Sequence, residues 1–429
     1  MVERERPLIF KAYPNLQQEV PWISLLSQIP TPIDRLENLE EEIGMESEGR
    51  VYIKRDDKCH HVYGGNKLRK FEFIFGKAVK NNKKGMITIG GIGSNHALAC
   101  AIIAQQLDMR CHLFLFPQPL TWHVQRSLLL YDYFGANLHL SKNFTKLALK
   151  VLGFKLAHLN HHLMFPGGSL LFGLGSPIGT IGFVNAIFEL KEQIEKKDIP
   201  EPDAIFVAGG SGGTAAGLIL GCKLLRLKTK VYITAVSMDW IINNENVLKN
   251  ANKALKYLKK RDESIPDIKL GEEDFEIIEG YLGSEYGTKT ERGQKAIDLI
   301  MELEGKPKGF RIETTYTGKT MAAMIDYLKK EENKAKTVLF WNTYNSNNLD
   351  KYLRETDFNY KKLPKKFHHF YEDKTFQCWQ IKDCPEKEQC KAYLNHEYRC
   401  WMIDDCTKED LLDCKAYQEL KDIIELEDA

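Results

Sequence analysis

The 429-residue chain has almost no surplus charge: 60 lysines and arginines face 59 aspartates and glutamates, a formal net of +1. Without a one-signed field, nothing gathers nucleic acid or an anionic membrane surface, so a small-molecule substrate is the default expectation. Also missing is any run approaching the ~18–20 uninterrupted apolar residues of a membrane span. The N-terminus, Met1-Val2-Glu3-Arg4-Glu5-Arg6, lacks the apolar centre of a secretory signal. No membrane association and a cytoplasmic location are therefore expected, and there thiols stay reduced. Cysteine is sparse upstream of residue 378. Cys59, Cys100, Cys111 and Cys222 are scattered and read as small buried hydrophobes, whereas the other six fall between Cys378 and Cys414. Apolar content of 43% and charged content of 28% are ordinary for a soluble globular protein, and the length suggests two or three domains.

From about residue 50 to 350, short apolar runs alternate with helix-length amphipathic segments. Candidate strands are Val51–Arg55, Met86–Gly90, Cys111–Phe116, Asn137–Leu140, Ala204–Ala208, Lys230–Val236 and Thr337–Trp341. Candidate helices lie near 67–82, 94–107, 122–134, 176–196, 213–226, 244–260, 290–304 and 318–330. This alternation predicts α/β layers around a largely parallel sheet, with ligands beyond the carboxyl ends of the strands. Glycines cluster at such places, at 64–65, 90–93, 167–168 and 209–213.

Three strand–glycine–helix junctions carry the chemistry. In Val207-Ala208-Gly209-Gly210-Ser211-Gly212-Gly213-Thr214, glycines let successive N–H groups converge at a helix N-terminus, a cup for a phosphate dianion. No Lys-Ser/Thr pair comes after it, which excludes a nucleotide-binding Walker loop. The bland alternative is a tight turn with close helix–sheet packing. In Gly64-Gly65-Asn66-Lys67-Leu68-Arg69-Lys70, a lysine stands beside glycines at the start of an apolar helix. Desolvation and neighbouring cations lower the pKa of such an amine and free it to attack an aldehyde. Lys70 is on the same face and within reach of an anion. The alternative is a solvated basic helix start. Gly90-Gly91-Ile92-Gly93-Ser94-Asn95-His96 offers N–H groups, the Ser94 hydroxyl and the Asn95 amide to a carboxylate, or is simply an N-capped helix. His96 is read as structural. A phosphate cup, an activated lysine and a carboxylate cradle in one α/β protein match a pyridoxal phosphate enzyme acting on an α-amino acid.

Residues from about 10 to 355 resemble the 1-aminocyclopropane-1-carboxylate deaminase/D-cysteine desulfhydrase family, a branch of the tryptophan-synthase-β-like, fold type II pyridoxal phosphate enzymes. The similar stretches are Ile29–Leu36, Ile53–Asp57, Gly64–Glu72, Gly90–His96, Gly210–Thr214, Gly283–Gly287 and Tyr316–Met321. The resemblance implies two three-layer α/β/α domains with the cofactor between them. Residues 1–67 and 181–362 would form the large cofactor-binding domain and 68–180 a small inserted one, in a homodimer. It further implies that Lys67 is the Schiff-base lysine and Lys70 a phosphate contact. Gly210, Ser211, Gly212, Gly213 and Thr214 would hold the phosphate, and Asn95 the ring hydroxyl. Ser94 would bind the substrate carboxylate or help transfer a proton, while Tyr286 and Tyr316 would flank the substrate.

One position selects within the family. Thr317 stands near the expected pyridine nitrogen, where the cyclopropane deaminases carry Glu and the desulfhydrase-like members Thr. A hydroxyl leaves the ring a shallower electron sink than a carboxylate would, which favours departure of a β-leaving group. The implied activity is β-elimination of a small amino acid such as D-cysteine, giving a 2-oxo acid, ammonia and sulfide. Cyclopropane-amino-acid deamination is the alternative. Two departures stand out: Trp341-Asn342-Thr343-Tyr344-Asn345-Ser346 replaces a His-Thr-Gly-Gly-like run, and Cys59-His60-His61-Val62-Tyr63 precedes the lysine loop. They keep open a third function, a degenerate non-catalytic domain that carries or regulates the C-terminal module.

Residues 358–374 read as a linker. Beyond it Cys378-Trp379-Gln380-Ile381-Lys382-Asp383-Cys384 recurs as Cys400-Trp401-Met402-Ile403-Asp404-Asp405-Cys406, and Cys390-Lys391-Ala392-Tyr393 as Cys414-Lys415-Ala416-Tyr417. A Cys-rich module over 363–429 is expected, too short to be comfortably stable on its apolar core alone. Cys378, Cys384, Cys390, Cys400, Cys406 and Cys414 are candidate ligands for zinc or an iron–sulfur cluster. Disulfides, a redox-switching thiol cluster or free thiols beside Trp379 and Trp401 are the alternatives. The chain ends in an acidic amphipathic stretch, Leu420–Ala429.

Overall fold

The structure, a computed structural model, describes residues 6–372 except 119, 121, 169–175 and 356–358. Its strands are β1 (Ile33–Arg35), β2 (Arg50–Lys54), β3 (Gly85–Gly91), β4 (Arg110–Phe116), β5 (Ala136–Leu140), β6 (His161–Met164), β7 (Ala204–Gly209), β8 (Lys230–Ala235), β9 (Phe275–Ile278) and β10 (Thr337–Trp341). They build a six-stranded sheet in the order β1-β2-β10-β7-β8-β9 and a four-stranded sheet in the order β5-β4-β3-β6. Every pairing is parallel except β1 with β2. All seven expected strands are present. The three unforeseen ones, β1, β6 and β9, are three or four residues long. That is too short for an alternating pattern to stand out from a loop.

The longer helices are α1 (Asn66–Lys80), α2 (Asn95–Gln106), α3 (Trp122–Tyr133), α4 (Phe144–Ala157), α5 (Ile178–Glu195), α6 (Gly213–Leu224), α7 (Asn244–Lys259), α8 (Glu291–Ile300) and α9 (Thr317–Leu328). The expected helix over 290–304 continues past α8 as a π-type turn, Met301–Gly305. Helix α4 lies outside the expected set. Its leucines point both inward and outward, since Leu147 and Val151 are buried while Leu149, Leu152 and Leu156 are more than half exposed. A one-sided apolar period is therefore missing from its sequence.

A buried ion network joins the large sheet to its helices. Lys54, at the end of β2, donates to Glu189 on α5 (2.6 Å), to Gln193 (2.6 Å) and to the Thr31 carbonyl (2.8 Å). Arg69 of α1 contacts Asp56 (2.6 Å) and Glu189 (2.9 Å), and the indole N–H of Trp341 donates to Asp56 (2.7 Å). Lys54, Asp56, Arg69 and Glu189 are at most 2% exposed. Burial alone would raise the Glu189 carboxyl, but Arg69 and Lys54 outweigh it and hold it well below the usual carboxylate range.

Part of the expected linker is packed rather than free. Residues 359–372 form short turns whose Tyr360, Leu363, Phe367 and Phe370 are buried, and Tyr360 stacks on Tyr371 at 5.0 Å. The Gln125 side chain on α3 donates to the Phe370 carbonyl (2.7 Å), and the Tyr371 hydroxyl donates to the Gln125 carbonyl (2.6 Å). The linker reading of 358–374 fails here because its four apolar side chains, three and four residues apart, are interleaved with lysines and histidines that mask their period. The six cysteines from Cys378 to Cys414 lie outside the described residues.

The network generates a stability prediction. Glu189→Ala strands two buried cations and should cost about 3–5 kcal/mol. The exposed control Lys191→Ala should move stability by less than about 0.5 kcal/mol. Because the folded Glu189 carboxyl titrates below its unfolded value, its contribution is present above the ordinary Glu pKa and is lost as pH falls. Denaturant unfolding at neutral and acidic pH measures both effects. A Glu189→Ala loss no larger than the control's would refute the assignment.

Candidate active site

The glycine junctions and the altered 341–346 run meet at the carboxyl ends of parallel strands. The lysine loop comes after β2, Ser94 after β3, the phosphate-cup loop after β7, and residues 342–346 after β10. Asp56, held by Arg69, accepts the Gly65 amide at its backbone carbonyl (2.7 Å). Gly65 has φ +97°, and a side chain there would also run into the Thr343 carbonyl at 2.6 Å. Only glycine satisfies both conditions. α1 starts at the next residue.

Lys67 is part-buried at the cleft, yet the surroundings of its amine disfavour charge. Burial lowers its pKa to about 8, against an opposing pull from Glu313. The amine donates to Asn66 Oδ1 (2.8 Å), and the Asn66 amide donates to Thr214 Oγ1 (3.1 Å) at the start of α6. The lysine is thus tied to the phosphate-cup loop. In that loop Gly212 has φ +75°, the turn that presents the first amides of α6, which have no intrahelical acceptor. A Cβ on Gly210 would stand 3.3 Å from the Tyr316 ring, which places that tyrosine over the cup. Ser211 takes part through its carbonyl, an acceptor for the Asn250 side chain at 3.4 Å. Lys70 is buried and its amine donates to the Gly167 carbonyl (2.9 Å), leaving further donor positions on the same nitrogen.

Ser94 caps α2, its hydroxyl accepting from the Ala97 amide (3.3 Å). The Asn95 side chain makes no hydrogen bond among the described residues. Tyr131 and Tyr63 donate to the carbonyls of Ser94 (3.0 Å) and Asn95 (3.2 Å), which fixes the cap from behind. His96 is structural, as expected. The Thr88 hydroxyl donates to Met164 and so accepts from His96 Nε2 (2.9 Å), which leaves Nδ1 as a buried acceptor without a partner. Burial, with Lys67 and Lys70 nearby, holds this ring neutral.

Tyr286 and Tyr316 join through their hydroxyls, with ring centroids 6.0 Å apart. Burial raises both phenols, so they stay protonated. Thr317 is buried at the start of α9, and its hydroxyl accepts from the Glu313 amide (2.8 Å). Glu313 was not among the expected site residues. Its Oε1 accepts the amides of Tyr316 (2.8 Å) and Thr317 (3.0 Å), and its Oε2 that of Thr315 (2.8 Å). A carboxylate four residues before a helix start has a known use at helix N-termini, and that spacing was the available signal.

The departures have structural parts. Asn345 Oδ1 accepts from the Gly64 amide (2.7 Å), and the Thr343 carbonyl from the Asn66 amide (3.2 Å). Burial, with Tyr344 nearby, raises the Tyr63 phenol. Among the described residues no group of three His, Cys, Asp or Glu side chains could hold a metal ion. Cys59, Cys100, Cys111 and Cys222 are buried and unpaired, as expected. No helix of the described residues is long and apolar enough to cross a membrane.

This site, on a fold of two parallel-stranded layers, defines a class. Residues 25–343 match the family model described as pyridoxal-phosphate dependent enzyme, and the chain belongs to that family. A D-cysteine desulfhydrase of Serratia proteamaculans (strain 568) is 30% identical over 322 residues, covering 73% of this chain and 90% of the relative. A putative 1-aminocyclopropane-1-carboxylate deaminase of Pyrococcus abyssi is 28% identical, over 75% of this chain and 93% of its own. A crystal structure of an ACC deaminase homologue superposes with a TM-score of 0.63 at 27% identity, covering 79% of this chain and 95% of that one.

The residues present fit pyridoxal phosphate. A buried amine of lowered pKa, a glycine cup at a helix N-terminus joined to it through Asn66, and an unengaged amide at Asn95 suit its aldehyde, phosphate and ring hydroxyl. In protein freed of cofactor, Lys67 should react with a small acylating reagent with a midpoint near pH 8, read by mass spectrometry of its peptide. Since folding disfavours the charged amine, Lys67 costs stability below about pH 8, and the cost fades as pH rises toward 10.5. A midpoint at the ordinary lysine value would contradict this environment.

Proposed function

We propose that the protein eliminates the β-substituent of a small amino acid, in the manner of a D-cysteine desulfhydrase. The observation that carries this is the chain of hydrogen bonds from the Lys67 amine through Asn66 to Thr214, facing the Tyr286–Tyr316 pair. When bound, pyridoxal phosphate supplies the electron sink that makes the Cα–H of an amino acid acidic. We take Lys67 as its anchor, the amides and hydroxyls of Gly210–Thr214 with Lys70 as the phosphate holders, and Asn95 as the partner of the ring hydroxyl. The N-terminus of α2, with Ser94, receives the substrate carboxylate.

Lys67, its amine lowered to about 8, takes the proton from Cα in its uncharged form. Tyr286 and Tyr316, kept as neutral phenols, donate to the departing sulfur. The Cα–H and Cβ–S bonds break, sulfur leaves with its electron pair, and addition of water yields a 2-oxo acid and ammonia. Thr317 supports this direction, because its hydroxyl is engaged by the Glu313 backbone and brings no charge to the cofactor nitrogen. A cyclopropane-amino-acid deaminase is the second reading, favoured by the relatives of that name. The degenerate-domain reading is disfavoured by the anchoring of Gly64 and Asn66 from the altered 341–346 run.

In the same proposal the chain is a cytoplasmic homodimer, and 1–67 with 181–362 close against 68–180 around the substrate. D-cysteine should give sulfide, ammonia and pyruvate in equal amounts. Lys67→Ala should abolish both turnover and the visible absorbance of the bound cofactor. Thr317→Glu should lower turnover at least about tenfold, or ~1.4 kcal/mol. Deamination of the cyclopropane substrate with none of D-cysteine would overturn the assignment. For the C-terminal module we propose a metal, zinc or an iron–sulfur cluster, on Cys378, Cys384, Cys390, Cys400, Cys406 and Cys414. Elemental analysis of the reduced full-length protein should find it in stoichiometric amount, and a metal-free result ends that proposal.

A further inference from the structure

Helix α4 is anchored on one side only. Leu147 and Val151 are buried against the small sheet, whereas Leu149 (64% exposed), Leu152 (56%) and Leu156 (65%), with Leu159 (67%) just beyond the helix, form a leucine stripe at three- and four-residue spacing. Such spacing is that of a helix face that seats on a partner. Lys146 and Lys150 border the stripe on one side and Lys155 on the other, and none has a carboxylate partner among the described residues. At its lower end Lys83 and Lys155 both donate to the Leu159 carbonyl, at 2.8 and 3.5 Å. The face is therefore apolar, basic and lacking an acid.

The end of the described chain is close by. Lys366 lies near enough to Lys150 for the two charges to disfavour each other, and His139 feels both. The last described residues themselves pack on α3, where Phe370 and Tyr371 bond to Gln125. The C-terminal segment has the opposite character to that face. Between Glu409 and Ala429 there are eight carboxylates against two lysines, while Leu412, Ala416, Leu420, Ile423 and Ile424 recur at three- and four-residue spacing. Thirty-six residues, 373 to 408, connect it to the end of the described chain. A second copy is a poorer occupant, because an isologous contact would set Lys146, Lys150 and Lys155 against their own kind.

We propose that residues 409–429 of the same chain cover the leucine–lysine face of α4. Their apolar side chains would lie on Leu149, Leu152 and Leu156, and their carboxylates would pair with the flanking lysines. Docking there places the Cys-rich repeats beside the small sheet, which carries Ser94 and Asn95, without entering the cleft.

Zero-length carbodiimide coupling of the full-length protein tests this, using a mixture of isotopically light and heavy chains. Amide links from Lys146, Lys150 or Lys155 to carboxylates of 409–429 are expected within one chain. They should be lost in the double variant Leu152→Glu/Leu156→Glu, which alters only exposed positions and should keep the visible cofactor absorbance. Absence of these links, links formed only between light and heavy chains, or links unchanged in the double variant would each overturn the proposal.

Discussion

The cleft depends on a buried carboxylate–guanidinium contact between Asp56 and Arg69. Asp56 is also bonded by the Trp341 indole and, through its carbonyl, by the Gly65 amide. One residue thereby fixes the end of β2, the end of β10 and the first turn of α1. Glu189 closes the network from α5 by taking both Arg69 and Lys54. Apolar side chains of similar volume would often be as stable, since burying ions carries a large desolvation penalty. What the ions add is direction: each tolerates only one geometry of its partners. Lys67, the proposed cofactor anchor, is placed two residues beyond Gly65 and two before Arg69.

The same burial acts oppositely on the groups around the cleft. It disfavours charge, so it lowers the Lys67 amine and raises the phenols of Tyr63, Tyr286 and Tyr316. The result is a base that gives up its proton near pH 8 beside acids that keep theirs. Glu313 tempers the lysine's shift, and its charge reaches the tyrosines as well.

Much of this was legible in the sequence, for a physical reason. Strands that are buried on both faces read as continuous apolar runs, and their glycine-bearing carboxyl ends mark where a helix N-terminus must come close to a ligand. Lys67, Ser94 and Gly210–Thr214 sit at such junctions, and their strands and helices stand within about two residues of the expected positions. Illegible were features set by partners distant in sequence. The role of Trp341 is one, because its indole serves Asp56, 285 residues away. The packing of 359–372 was masked, because lysines and histidines fill the positions between apolar residues that stand three and four apart. Helix α4 was hidden by its outward leucines, which blur the boundary between a buried and an exposed face.

Thr317 is tied to a residue that the sequence reading left out. From sequence, the hydroxyl matters as the absence of a carboxylate near the cofactor nitrogen. The structure supplies a carboxylate one helical turn earlier, at Glu313, and Coulomb attraction alone would let it play the missing part. It does not, because its lone pairs are committed: three backbone amides of residues 315–317 converge on its two oxygens. Redirecting either oxygen toward a ligand would strand amides at the start of α9, at a cost of about 1–3 kcal/mol for each buried donor left unpaired. The helix start therefore holds its carboxylate in place, and the buried Thr317 hydroxyl is turned toward Glu313.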